Sequence, residues 1–206
     1  MLDQSKVNRL LASHRGRDQI IRLAHYSCLL LASSSKDRQT ADRLFLLARH
    51  LSSARLVFRQ LSDLPSLLAL LGQSTGSAEA ALDAAIAGLY ALYQPVEHVA
   101  YLTSLGFLAK LDGKLWQKRC VRIWALALLL SLLKTLLRLR RQAKAGGDYE
   151  SGDGWQLVKD AADLGNAIGY MPPSAGLWAG KLSPARVGLL GCIASSVGLL
   201  FAYRQS

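Results

Sequence analysis

From Val187 to Tyr203 the chain reads VGLLGCIASSVGLLFAY, seventeen consecutive residues without a charge. Ser183 followed by Pro184 supplies an N-cap and a first-turn proline, so the spacing predicts a helix from Pro184 to Tyr203. Twenty residues at about 1.5 Å each reach about 30 Å, the hydrocarbon thickness of a bilayer. Arg186 and Arg204 stand at the two ends, where long cationic side chains reach headgroups, and Tyr203 is an interfacial residue type. Gly188, Gly191, Cys192, Ser195, Ser196 and Gly198 put small residues at three- and four-residue steps, spacing that lets another helix approach closely in lipid. Of these, Gly188, Gly191, Cys192 and Ser195 are the expected helix–helix contacts. The bland alternative is the core helix of a soluble protein. Glycine is a poor helix former in water and common in membrane helices, which favours the membrane reading.

Charge is distributed in blocks. Residues 1–61 hold eleven Lys/Arg against four acids, residues 62–109 hold four acids and no Lys/Arg, and residues 110–144 hold ten Lys/Arg against one acid. Two basic blocks around an acidic, apolar one suggest attachment to an anionic surface, either lipid headgroups or nucleic acid. The basic residues carry no nucleic-acid motif and no interleaved aromatics, so with a hydrophobic span in the same chain lipid is the expected counterpart and nucleic acid is not. Few residues are β-branched and half are hydrophobic, which favours helices over sheet. The expected fold class is therefore all-α, a membrane protein with N-terminal amphipathic helices and one or two transmembrane helices in its C-terminal half. Cys28, Cys120 and Cys192 are too scattered for a disulfide framework or a metal knuckle and read as apolar fillers in a reducing compartment. The first residues lack the apolar core of a secretory signal, and the last three are not a peroxisomal Ser-Lys-Leu address.

Four regions are expected: residues 1–110 as amphipathic helices, 111–144 as a basic-flanked hydrophobic helix, 145–156 as a flexible linker, and 157–206 as a helix, a break and the anchor at about 184–203. Residues 5–32 read as one helix with Gly16 weakening its middle, and SSSKD at 33–37 reads as a loop. A helix from about Thr40 to Leu61 repeats Leu44, Leu47, Leu51, Ala54, Phe58 and Leu61, with Arg43, Arg49 and Arg59 off or at the edge of that stripe and Arg55 closer to it. Two readings fit: an amphipathic helix lying in a membrane surface, or a core-packing helix with a solvated basic face. On the first, Leu44, Leu47, Leu51 and Phe58 insert and Arg43, Arg49 and Arg59 meet headgroups. A short apolar helix to Leu71 and a turn at 73–77 follow. The next helix begins near Ala78 and should kink or break at Pro95. In residues 116–141 the charge-free stretch Ile123–Leu133 is too short to span alone. With Arg122 and Lys134 snorkelling outward the segment crosses, and otherwise it lies in the interface. DLGNAIGYMPP at 163–173 reads as a helix end broken by Gly169, Pro172 and Pro173, with Trp178 as an interfacial anchor.

No Ser–His–Asp constellation, phosphate loop or metal-ligand spacing is present in the sequence, so neither an enzyme nor a cofactor is expected. His98 beside Glu97 reads as structural. Several segments resemble the peroxisomal membrane protein 11 family (peroxin-11): GRDQIIRLAHYSCLLL at 16–31, LSSARLVFRQLSDL at 51–64, LYQPVEHVAYL at 92–102, and LVKDAADLGNAIGYMPPSAGLWAGKLSPARVGLLGCIASSVGLL at 157–200. The match covers nearly the whole chain in order. The short linker and LWAG, with Asp163, Ala167, Trp178 and Gly180, are most similar to the gamma (C) subtype. The resemblance implies an integral, multi-pass peroxisomal membrane protein with both termini in the cytosol, which shapes, elongates and divides peroxisomes. It further implies self-association, also with related family members, and contact with a dynamin-like GTPase and its tail-anchored adaptors. Counting cations does not orient the chain, since five flank residues 123–133 on each side.

The expected mechanism is physical: apolar helix faces inserted about 5–10 Å into one leaflet add area to that leaflet and favour curvature, while the last helix anchors and concentrates copies. Two rivals remain open at this stage, a pore for small solutes and a scaffold that recruits fission factors without bending lipid.

Overall fold

The computed structural model describes residues 3–59, 68, 77–144 and 151–206, and these contain seven α-helices, one 3-10 turn and no strand. The helices are α1 (Gln4–Ala12), α2 (His14–Ser34), α3 (Arg38–Phe58), α4 (Ala78–Ser104), α5 (Gly113–Lys144), α6 (Ser151–Tyr170) and α7 (Pro184–Arg204). They form two compact units, Met1–Phe58 with Lys181–Ser206 and Arg59–Gly180. The last helix thus belongs with the first fifty-eight residues of the chain. The short helix expected before Leu71, and the turn at 73–76, lie outside the described residues.

In the first unit, the single helix expected over residues 5–32 is two. Ser13 ends α1 and starts α2: its backbone N–H donates to the carbonyls of Arg9 and Leu10, and its Oγ accepts the Gly16 N–H at 2.9 Å. The glycine is required by packing, because a Cβ on Gly16 would lie 2.1 Å from the Leu10 carbonyl oxygen. α2 continues through Ser34, so the loop expected at 33–37 shrinks to three residues. Asp37 caps the next helix, its Oδ2 accepting the Thr40 N–H at 2.9 Å, which starts α3 two residues earlier than the apolar repeat alone suggests. α2 packs on both α3 and α7, and α1 lies against α2 and α7.

In the second unit α4 runs through Pro95 to Ser104 without ending there. Proline removes one intrahelical bond, and the long contact of α4 with α5 holds the helix across that gap. Gly106, at φ +84°, turns the chain after α4, and Asp112 caps α5 by accepting the N–H groups of Lys114 and Leu115 at 2.9 and 3.2 Å. α6 returns along α5, and Ala125, Leu128 and Ala167 form the buried centre against Trp124, Leu164 and Met171. Residues 151–156, expected as linker, are the first turns of α6. α6 ends at Tyr170 ahead of the two prolines, and Trp178 folds back to donate its indole N–H to the Gly165 carbonyl at 2.9 Å, so the expected interfacial anchor is tied to protein.

Candidate membrane-facing surfaces

The small-residue line of α7 is built for contact, and its partner is α2 of the same unit. A Cβ on Gly188 would meet the Leu30 nitrogen at 2.8 Å, one on Gly191 the Tyr26 ring at 2.1 Å, and one on Gly198 the Gln19 side chain at 2.4 Å. The descending partner numbers make α2 and α7 antiparallel along their length. Ser195 is fully buried, and its Oγ donates to the Gly191 carbonyl at 2.6 Å. Cys192 lies 3.6 Å from Ser27, sulfur to hydroxyl oxygen. The residues that the sequence offered to a second copy are therefore used within the chain, and the outward side of α7 carries Leu189, Ile193 and Ser196. Tyr203, expected at an interface, instead accepts the Asp3 N–H at 3.2 Å, and Gln205 accepts Arg15 at 2.8 Å, joining the two ends of the chain. A Ser27→Cys variant should form an intrachain disulfide with Cys192 on mild oxidation, seen as a faster band on a non-reducing gel and lost with Cys192→Ala.

The stripe of α3 divides. Ala48 and Arg55 contact α2, through the His25 Nδ1–H donated to the Ala48 carbonyl at 2.8 Å and through a paired Arg55–Asp18 fork at 2.9 and 3.1 Å. Leu44 and Leu51 fall on the same helical line and are half-buried. Leu47 and Phe58 instead stand exposed with Leu46 and Val57, Phe58 at 65%. Arg43 and Arg49 are exposed as well. Arg59, expected at headgroups, is instead held in the second unit, its Nη2 2.8 Å from both carboxylate oxygens of Glu97, which also accepts the Tyr93 hydroxyl. Of the seven side chains expected at the membrane from this segment, Leu47, Phe58, Arg43 and Arg49 are exposed, and Leu44, Leu51 and Arg59 are half-buried.

His25 is half-buried between charged neighbours. Burial, and then the nearby Arg55 and Arg22 guanidinium groups, hold its pKa below the ordinary histidine value. A histidine that resists protonation only when folded loses stability as pH falls. Both states are neutral above about pH 6.5, and below it the unfolded chain takes up the proton first. The melting temperature of the first unit should therefore drop as pH is lowered through about 6.5, and His25→Asn should flatten that slope.

α5 resolves the problem of its short apolar run. Lys134 pairs with Asp83 of α4, and Arg138 pairs with Glu79 at 2.9 Å and with Asp153 at 3.3 Å. These cations point to neighbouring helices, whereas the sequence suggested that Lys134 snorkels. What α5 shows outward is Arg122, Leu126, Leu129, Leu133, Leu136 and Arg140, all exposed and at three- or four-residue steps. From Arg122 to Arg140 is about 27 Å at 1.5 Å per residue, close to the thickness of a hydrocarbon core. α5 and α7 are the two described helices long and apolar enough to cross a membrane. On the α6 side, buried Asp160 accepts from Ser131, Gln156 and Lys159, so its charge is satisfied inside the unit.

Carrying α2 and α3 into lipid alongside α7 is a different matter. The His25–Ala48 and Tyr26–Gly191 contacts put exposed Arg49 level with the middle of α7. A cation at that depth costs at least about 2.5 kcal/mol. That cost disfavours burying the first unit in hydrocarbon as it is packed.

Among the described residues no cluster of three His, Cys, Asp or Glu is placed to hold a metal, and Cys28, Cys120 and Cys192 are free thiols. The family model of peroxisomal biogenesis factor 11 matches residues 4–148. Peroxisomal membrane protein 11C of Homo sapiens is 29% identical, covering 99% of this chain and 96% of its own length. Peroxisomal membrane protein 11C of Mus musculus is 28% identical over 96% of this chain and 95% of its own. No solved structure matches. With this match over most of its length, two helices fit to cross a bilayer and an outward leucine stripe bounded by arginines, the chain belongs to the peroxisomal biogenesis factor 11 family of peroxisomal membrane proteins.

Proposed function

We propose that this protein bends the peroxisomal membrane towards elongation and fission by laying the outward face of α3 into the cytosolic leaflet. The observation that carries the reading is the group Leu46, Leu47, Val57 and Phe58, large apolar side chains exposed on one helix beside exposed Arg43 and Arg49. Arg43 falls between the Leu46–Val57 and Leu47–Phe58 pairs on that face, and its long side chain reaches headgroups while the apolar groups enter the boundary of headgroup and acyl chain, where their volume expands one leaflet. α5 holds the chain in the membrane through its leucine stripe, and α7 crosses after exchanging α2 for lipid, since Arg49 bars the packed unit from crossing whole. Both termini face the cytosol, since two crossings, by α5 and α7, return the chain to the side on which it starts. Copies associate through the outward side of α7, and a dynamin-like GTPase with its tail-anchored adaptors completes division.

The test is reconstitution of the full chain into liposomes containing anionic lipid, viewed by electron microscopy. Tubules that grow more frequent with protein density are expected. Smooth vesicles that leak small solutes would favour a pore. Smooth, sealed vesicles that still recruit the GTPase would favour a scaffold.

A further inference from the structure

The turn joining α4 to α5 carries an apolar tip that the membrane-bending reading does not use. Phe107 is 77% exposed, more than any other large apolar side chain described, and Leu105 and Leu111 stand exposed beside it. Lys110, Lys114, Lys118 and Arg119 follow, all exposed. The one acid among residues 102–122, Asp112, is occupied as the cap of α5. Among the described residues no carboxylate pairs with Lys114 or Lys118. Both line an open cleft of about 830 Å³ with Thr103, Ser104, Gln117, Tyr170 and the capping Asp112.

Lipid is the first occupant to consider, and the length of α5 argues against it. The outward stripe Leu126, Leu129, Leu133 and Leu136 centres on residue 131, so Asp112 stands about 28 Å along the helix from mid-bilayer at 1.5 Å per residue. Half of a bilayer, headgroups included, is about 20–22 Å. With α5 crossing as described, the tip stands in water, beyond the headgroups, where a bare cluster of Leu and Phe marks a protein contact. Residues 1–61 of the same chain have the wrong sign, with eleven Lys/Arg against four acids.

We propose that the α4–α5 turn docks an acidic, apolar segment of a partner protein, its Leu or Phe side chains against Leu105, Phe107 and Leu111 and its carboxylates along Lys114 and Lys118. The cleft gives room for a few side chains, and charge complementarity sets the sign of the partner. The inference rests on α5 crossing the membrane and is independent of whether α3 bends it.

The experiment uses the full chain in neutral-lipid nanodiscs to select from a random peptide library displayed on phage. Enriched peptides should combine Asp or Glu with Leu or Phe. A synthetic copy of the commonest one should lose about tenfold in affinity against Lys114→Gln with Lys118→Gln, at a few-fold per exposed ion pair. Against Phe107→Ser it should lose more than tenfold, with helicity and melting temperature of both variants unchanged because all three residues are exposed. Enriched peptides without acidic bias, or affinities indifferent to these variants, would overturn the proposal. So would quenching of a fluorophore on Phe107→Cys, in a Cys192→Ser background, by spin-labelled phosphatidylserine, since that would place the tip in lipid.

Discussion

Gly191→Leu should cost the first unit at least about 3 kcal/mol, at the upper end of what overpacking a core costs, while leaving the chain in carbonate-washed membranes. A methyl group alone at this position would lie 2.1 Å from the Tyr26 ring, and Tyr26 is buried, so the ring has nowhere to go. Leucine adds three further carbons. The two helices must part, and α1, which rests on both, should become protease-sensitive. Membrane retention should persist, because the substitution makes α7 more apolar and leaves α5 unchanged. Gly88→Ala is the control: nothing lies within 4 Å of its missing side chain, and replacing a mid-helix glycine gains about 1 kcal/mol. The Ser27→Cys disulfide should act in the opposite sense. A covalent tie to α2 keeps α7 out of hydrocarbon, so the oxidised protein should be extracted by carbonate more readily than the reduced one. If oxidation leaves extraction unchanged, α7 does not need to leave α2, and α5 is the anchor.

The helical class, the two apolar helices and the break at Pro172–Pro173 were legible in the sequence because each rests on local pattern: charge-free length, three- and four-residue repeats, proline. Partners were not. Nothing in the spacing of Gly188, Gly191 and Ser195 distinguishes a second copy from residues about 160 positions earlier in the same chain. Tyr26 was the available signal, a bulky ring on a helix of matching length that needs a groove of glycines. Lys134 looked like an interruption of a span because a linear count cannot see that Asp83 faces it from α4. Reading α5 by face would have helped, since Arg122, Leu126, Leu129, Leu133, Leu136 and Arg140 are visible at helical steps. The stripe of α3 was correctly periodic but ambiguous, since a period marks an apolar face and not what covers it. Gly16 reads from sequence as a weak point in one helix; in space it is the close approach that makes two.

That ambiguity sets the last prediction. Leu47→Asp with Phe58→Asp should abolish tubulation of anionic liposomes by the full chain while leaving its fold intact. Both side chains are exposed, so no core contact is lost, and helicity and melting temperature should stay within error of the parent protein. Each large apolar side chain contributes about 1.5–3 kcal/mol when it leaves water, so losing two removes about 3–6 kcal/mol of insertion. Salt should not rescue the pair, whereas Arg43→Gln with Arg49→Gln should weaken binding chiefly at low salt, at about 1 kcal/mol per arginine. Leu44→Asp with Leu51→Asp should behave differently. Those residues share with Ala48 and Arg55 the line of α3 that packs against α2, so charge there should unfold α3 from α2 and lower the melting temperature. In cells the Leu47 and Phe58 pair should stop peroxisome elongation without loss of targeting, because α5 and α7 are untouched. If the exposed pair tubulates as the parent does, the outward face of α3 is not the wedge, and curvature must come from another surface.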